Sequence, residues 1–265
     1  MNSLTARDMQ ALCAIAKAAG REIMAVYASD FAAWSKADAS PLTEADLRAD
    51  AVIRKGLEGA YPGVFILSEE SVSPDADRGG DFFLVDPLDG TREFLKRNGE
   101  FTVNIALVSG GRPVAGVVLA PATGEVFFAA QGLGTWQETA DGASVSLFNI
   151  SGPAPGAALR VLGSRSHASE ALSRWLAQLE VEHTFVAAGS SLKFCRIAQG
   201  QADIYPRHGP TCQWDTAAGQ AVLEHAGGAV LDAQGQPLTY GLDRPILNPH
   251  FIALANASMK HPPLE

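Results

Sequence analysis

A chain of 265 residues with 29 acidic against 20 basic side chains carries a net charge of −9. That balance excludes the extended basic surface that a nucleic-acid backbone or an anionic membrane requires of its main partner. With 47% hydrophobic and 18% charged residues, and Gly and Pro spread along the chain, disorder and fibrous classes are excluded and there is ample material for a buried core.

Leu12, Ile15, Ala19, Ile23 and Val26 recur at three- and four-residue steps, so the spacing predicts an amphipathic helix over 4–27. The same stretch has Asp8 and Lys17 where a signal peptide has a basic start and an apolar run. No run approaches the ~18 apolar residues of a membrane span. A turn follows around Ser40 and Pro41, then a helix over 43–58, strands over 64–68 and 82–85, and a short helix from Thr91. Apolar runs at 101–108, 113–120 and 125–130, joined by GGR and PATG turns, read as an antiparallel meander. The segment 132–157 is rich in Gly, Ser and Pro and reads as a connection. Beyond it strands at 158–163, 183–187, 202–205 and 229–232 alternate with helices at 169–179, 190–199 and 215–226. The expectation is an α/β protein with an α+β domain over 1–155 and an α/β domain over 156–265. Cys13, Cys195 and Cys212 are odd in number and form no CxxC pair, as expected of buried, reduced thiols in a cytosolic protein.

The stretch FFLVDPLDGT, residues 82–91, carries the first chemistry. Asp86 and Asp89 at one strand end would repel and raise each other's pKa unless a cation stood between them. An all-oxygen site with few protein ligands suits Mg²⁺, and the Gly90–Thr91 step opens a helix whose free N–H groups suit a phosphate oxygen. An Asp-Gly turn whose acids merely cap the next helix explains the same residues. An EF-hand fits poorly, since positions 3 and 12 counted from Asp86 are Leu88 and Arg97. Three further stretches also have local accounts: Glu69 and Glu70 end a strand, Thr43 and Asp46 form a capping box, and Asp215 sits where an N-cap belongs, with Gly227–Gly228 at the C-cap. No histidine spacing suggests a metal site; His208 and His225 read as structural or solvent-facing.

Taken in order, TEADLRAD at 43–50, Glu69–Glu70, DPLDGTREF at 86–94 and WDTAAGQAVLEHAGG at 214–228 resemble the inositol monophosphatase superfamily of Mg²⁺-dependent, lithium-sensitive phosphatases. The likeness spans nearly the whole chain. LKRNGEFTVNIAL at 95–107 and GSSLKFCRIAQGQADIYPR at 189–207 look most like its 3′(2′),5′-bisphosphate nucleotidases of the bacterial CysQ type.

The resemblance implies a layered αβαβα sandwich. It implies that Glu69, Asp86, the Leu88 carbonyl, Asp89 and Asp215 hold two or three Mg²⁺ ions, with Asp86 bridging and Glu69 also serving the attacking water. Thr91, hydrogen-bonded to Asp46, would orient or deprotonate that water, and the N–H groups of Gly90 and Thr91 would hold the scissile phosphate. Lys193 and Arg207 are the cations for a second phosphate, with Ser190 as a hydroxyl donor. Ser164, Arg165 and His167 would meet the nucleotide. The implied reaction is hydrolysis of adenosine 3′,5′-bisphosphate to AMP and phosphate, together with its phosphosulfate analogue, clearing a by-product of sulfate assimilation. Inositol monophosphatase or fructose bisphosphatase activity is the alternative within the class, and a catalytically silent nucleotide-binding regulator the alternative outside it. The implied setting is the cytoplasm, as a monomer or homodimer, free or held peripherally at the inner membrane.

Overall fold

The structure is a computed structural model that describes residues 4–35, 41–71, 80–148, 151–154, 156–163 and 170–264. Helix α1 (Ala6–Tyr27) starts on a capping box in which Thr5 and Asp8 satisfy each other's backbone N–H groups, and it buries Leu12, Ala16, Ala19, Ile23 and Val26 along one stripe. A two-stranded ribbon, β1 (Ala33–Ser35) and β2 (Pro41–Thr43), leads into α2 (Glu44–Ala60), opened by a second box between Thr43 and Asp46. Among the described residues no helix is long and apolar enough to cross a membrane.

Helices α1 and α2 cover one face of a seven-stranded sheet. Its strands are β3 (Phe65–Ser68), β4 (Phe82–Asp89), β5 (Thr102–Ser109), β6 (Arg112–Ala120), β7 (Glu125–Ala130), β8 (Gly134–Glu138) and β9 (Ser144–Leu147), lying in chain order. Only β3 and β4 pair in parallel; the rest form an antiparallel meander, with helix α3 (Thr91–Leu95) between β4 and β5. Every strand of the centre is buried on both faces, so side chains divide by parity: Phe83 and Val85 meet the α1–α2 core, Phe82 and Leu84 the core beyond.

That second core is shared. Residues of β4 to β7 pack there with α5 (Leu192–Ala198), α6 (Gln213–His225) and one face of a five-stranded sheet, so chain from both sides of residue 155 builds it. This sheet has the order β11 (His183–Ala187), β10 (Leu159–Gly163), β12 (Ile204–Arg207), β14 (Phe251–Leu254), β13 (Ala229–Asp232). Its other face packs Trp175 of α4 (Glu170–Ala177) against Val161, Ile204, Ile252 and Leu254. The layers are therefore helices, sheet, helices, sheet and helix, the αβαβα sandwich. α6 lies so close to the first sheet that a Cβ on Gly116 would stand 2.6 Å from the Ala218 carbonyl oxygen.

The structure departs from the sequence expectations at several elements. Segment 132–157 contains β8 and β9, because β7 pairs with β8 and β8 in turn with β9, supplying the hydrogen bonds that short Gly- and Ser-rich segments cannot find alone. Strand β4 runs on through Asp86 to Asp89, past an irregularity in its pairing with β5, instead of ending at 85. Helix α5 begins at Leu192 rather than 190, since Ser190 takes a left-handed conformation at φ 46°. β12 begins at Ile204 because Asp203 is engaged by the backbone and side chain of Arg160. Strand β14 was not expected; FIAL is too short a run to distinguish from a loop without its partners β12 and β13. Cys13 and Cys195 are buried thiols as expected, whereas Cys212 is half-buried. Of the turn expected around Ser40 and Pro41, Ser40 lies outside the described residues and Pro41 opens β2; the stretch with Ser164, Arg165 and His167 also lies outside the described residues.

Candidate active site

The open ends of β3 and β4 and the N-terminus of α6 meet in a cleft of about 650 Å³, lined by Glu69, Asp86, Leu88, Asp89, Gly90, Thr91, Arg207 and Asp215 among others. Each acid arrives on a different element. Glu69 follows β3, anchored by its N–H to the Val85 carbonyl. Behind it Ser68 and Ser71 donate to the two oxygens of Asp50 from α2, and Arg54 ion-pairs with the same carboxylate. Asp86, only 2% exposed, accepts at Oδ1 from the N–H of Leu88. Asp215 is not the N-cap of α6, as its position suggested, but its third residue, and its Oδ2 accepts from the N–H of Cys212, which is the N-cap.

One carboxylate oxygen each from Glu69, Asp86 and Asp215 lies within 4.8 Å of the other two. Oxygens sharing one divalent ion at ~2.1–2.5 Å stand at most about 4–5 Å apart, so this donor set fits a hard cation. The electrostatics point the same way. Burial, then the charges of Glu69, Asp89 and Asp215, push the Asp86 carboxyl well above the usual carboxylate range. Burial and Asp89 raise Asp215 to about 8. Asp89 is also raised by burial, opposed by the Lys193 ammonium and by the N–H of Ser191. Such groups ionise together only when positive charge is brought to them.

At Gly90 the chain turns with φ 91°, and a Cβ there would stand 2.2 Å from the Ser190 hydroxyl and 3.1 Å from the Glu100 carbonyl. Glycine is required both for the left-handed turn and for the close approach. Thr91 then places its hydroxyl 3.3 Å from Asp46 Oδ1 and 3.2 Å from the Leu88 carbonyl, and with one proton it serves one of these acceptors at a time. Asp46 Oδ2 is already held by the Thr43 N–H and hydroxyl at 2.7 and 2.6 Å. The capping box and the Thr91 contact are thus one piece of geometry.

A smaller cavity of about 190 Å³ shares Asp89, Gly90, Arg207 and Asp215 with the cleft and adds Ser190 and Lys193. Lys193 is 6% exposed; its ammonium donates to the Ser190 carbonyl at 3.1 Å and lies 5.3 Å from the centre of the Tyr205 ring. Arg207 donates to the carbonyls of Gly209 and Pro210. The Ser190 hydroxyl is within 2.9 Å of the Asp89 carbonyl and 2.8 Å of the Glu100 carbonyl, so it faces backbone acceptors. His208 lines the cleft beside Pro206 and Pro210. His167 lies outside the described residues.

Sequence reasoning passed over four residues here. Arg92 and Glu93 line both cavities. Ser191 and Asn104 surround Asp89: the Ser191 N–H donates to Asp89 Oδ2 at 2.8 Å, and Asn104 Nδ2 reaches Ser191 Oγ at 2.9 Å. The available signal was Thr102 and Asn104, two polar residues on one face of a strand that is apolar from Ile105 to Val108.

Comparison with known proteins identifies the family. The Inositol monophosphatase family model matches residues 6–261. The chain is 46% identical over 247 residues to the 3′(2′),5′-bisphosphate nucleotidase CysQ of Escherichia coli (strain K12), covering 91% of this chain and 96% of that one. The crystal structure of CysQ from Bacteroides thetaiotaomicron, a bacterial member of the inositol monophosphatase family, superposes with a TM-score of 0.82 at 35% identity, over 96% and 98% of the two chains. The extragenic suppressor protein SuhB of Bartonella henselae follows at 0.77 and 27% identity, over 92% of each. With its fold and nearly its whole length matched, the chain belongs to the inositol monophosphatase family.

Proposed function

We propose that the protein is a Mg²⁺-dependent phosphatase that hydrolyses adenosine 3′,5′-bisphosphate to AMP and phosphate, and its phosphosulfate analogue by the same cut. Glu69, Asp86, the Leu88 carbonyl, Asp89 and Asp215 would hold two or three ions. The observation that carries this reading is the meeting of Glu69, Asp86 and Asp215 within 4.8 Å beside the Thr91–Asp46 contact. The activity named for the E. coli relative supports the substrate. When bound, the ions supply Lewis acidity, lowering the pKa of a water and offsetting phosphate charge.

The chain's own groups have separable tasks. Thr91 Oγ1 accepts a proton from the attacking water as it passes its own to Asp46 Oδ1, which Thr43 holds in place through Oδ2. Backbone N–H groups at Gly90 and Thr91 orient the scissile phosphate. Lys193 and Arg207, in the adjoining cavity, bind the second phosphate, a task that an inositol monophosphate does not present. The apolar side of the cleft, with Leu172, Tyr205 and Pro206, offers surface to the nucleobase.

Phosphate release from a panel tests the reading: adenosine 3′,5′-bisphosphate, its phosphosulfate analogue, 3′-AMP, inositol 1-phosphate and fructose 1,6-bisphosphate, each with Mg²⁺ and with chelator. The bisphosphate nucleotides are expected to be the best substrates, and chelator to stop turnover. A preference for inositol 1-phosphate or fructose 1,6-bisphosphate overturns the substrate; silence on every compound overturns the enzyme.

A further inference from the structure

Asp89 comes from the strand that carries Asp86, and Asp215 from the helix across the cleft; the residues between them form a continuous chain of hydrogen bonds. Asn104 Nδ2 lies 2.9 Å from Ser191 Oγ, and Ser191 Oγ lies 2.6 Å from the Asp215 carbonyl oxygen. A carbonyl only accepts, so at 2.6 Å the single hydroxyl proton of Ser191 is committed to Asp215. Ser191 Oγ must then accept from Asn104, which fixes the Asn104 amide with its NH₂ group toward the carboxylates. With that orientation Asn104 Nδ2 also reaches Asp89 Oδ2 at 3.5 Å, while the backbone N–H of Ser191 holds the same oxygen at 2.8 Å.

This orientation is costly. Asn104 is 0% exposed, and its Oδ1 has no hydrogen-bond partner among the described residues. A buried carbonyl oxygen left unpaired disfavours the fold, so something in the site must require the NH₂ end to face inward. What it secures is the relation between Asp89 and Asp215. Without Asn104 the Ser191 proton can swing to Asp89 Oδ2, 3.2 Å away, and the tie to Asp215 is lost.

We infer that Asn104 and Ser191 are positioning residues that lock Asp89 to the start of α6 and so preform the divalent-cation site. The inference rests on the proposed metal-dependent reading. Groups that orient metal-binding side chains typically change metal affinity by ten- to a hundredfold when removed. Ser191→Ala and Asn104→Leu are each expected to raise the Mn²⁺ concentration for half-saturation by about that factor, by calorimetry or electron paramagnetic resonance on the full chain with no substrate present. The double variant is expected to lose no more than the worse single variant, because the residues act as one chain. Melting of the chelated proteins separates positioning from folding: Ser191→Ala is expected within a few degrees of the unaltered protein, and it carries the test where Asn104→Leu melts early. Unchanged Mn²⁺ affinity in Ser191→Ala, or losses that add fully in the double variant, overturns the inference. An unaltered protein that binds Mn²⁺ but releases no phosphate from any substrate instead overturns the proposed activity and leaves this inference standing.

Discussion

On the wall of the cleft built by β3, β4 and α6, the carboxyls of Glu69, Asp86 and Asp215 face one another, and Asp86 and Asp215 are held far from their ordinary titration range. On the wall built by α5 and the end of β12, the charges are provided for inside the chain: Lys193 rests on a carbonyl and the Tyr205 ring, and Arg207 on two carbonyls. The acidic wall is complete only with cations added, whereas the basic wall is already settled. Losses on the first should therefore be drastic in activity and mild in stability, and losses on the second graded and confined to substrates with a second phosphate.

The sharpest break of that contrast is Asp89→Asn. Removing a cation-binding charge is expected to cost several kcal/mol of transition-state stabilisation, on the order of a thousandfold or more in turnover. The chelated variant should melt at or above the temperature of the unaltered protein, since one repelling charge is gone. Phosphate release and thermal melts measure both; activity within a few-fold of the unaltered enzyme would overturn the assignment of Asp89.

Next in size is Thr91→Val, which keeps shape but removes the proton path to Asp46. General base catalysis contributes roughly 10²–10⁴-fold, so kcat should fall by about that much while Thr91→Ser retains most of it. Activity retained in Thr91→Val would show that the hydroxyl carries no proton and would overturn the role given to Thr91.

These two sites differ in how readily the sequence reveals them. Asp86, Asp89, Thr91 and Asp46 fall in dense stretches whose spacing and resemblance carry the chemistry, and the capping box that places Asp46 is local, set by residues three apart. Asn104 and Ser191 are 87 residues apart and meet only because β5 and the loop before α5 close on Asp89. No local pattern encodes that meeting. The same distinction holds for the fold. Long buried strands such as β5 and β6 declare themselves, whereas β8, β9 and β14 exist because neighbouring strands pair with them. The left-handed Ser190 that delays α5 is likewise held by carbonyls of residues 89 and 100.

On the basic wall, Lys193→Ala and Arg207→Ala should each lower kcat/KM for adenosine 3′,5′-bisphosphate about ten- to a hundredfold. That range corresponds to charge-assisted hydrogen bonds of roughly 1.5–3 kcal/mol. Hydrolysis of 3′-AMP or inositol 1-phosphate should barely change. Lys193 also lowers the pKa of Asp89, so the comparison between substrates, and not the absolute rate, is the decisive measurement. Equal losses on mono- and bisphosphates would move both cations to the scissile phosphate or to the support of the acidic wall.

The smallest expected effect is on stability, and it comes from the acidic wall alone. Asp215 titrates near 8 in the folded chain against 3.8 for an ordinary aspartate, and Asp86 is raised as well. Between those values the native state holds protons that the unfolded chain has released, so the metal-free protein must lose stability as pH rises. The contribution is fully present below the unfolded pKa and is lost as pH passes the folded one. His225 works in the opposite direction: burial lowers its pKa, but its effect ends near pH 6.5. From pH 6.5 to 8 Asp215 therefore acts unopposed by it. With chelator, urea unfolding should show stability falling by up to about 1.4 kcal/mol per pH unit for each proton held. Saturating Mg²⁺ should remove the slope, because a cation takes the place of the protons and the carboxylates stay ionised. A flat metal-free profile over this window would mean that the acids of β4 and α6 already carry their charge unaided, and the contrast between the two walls would fail.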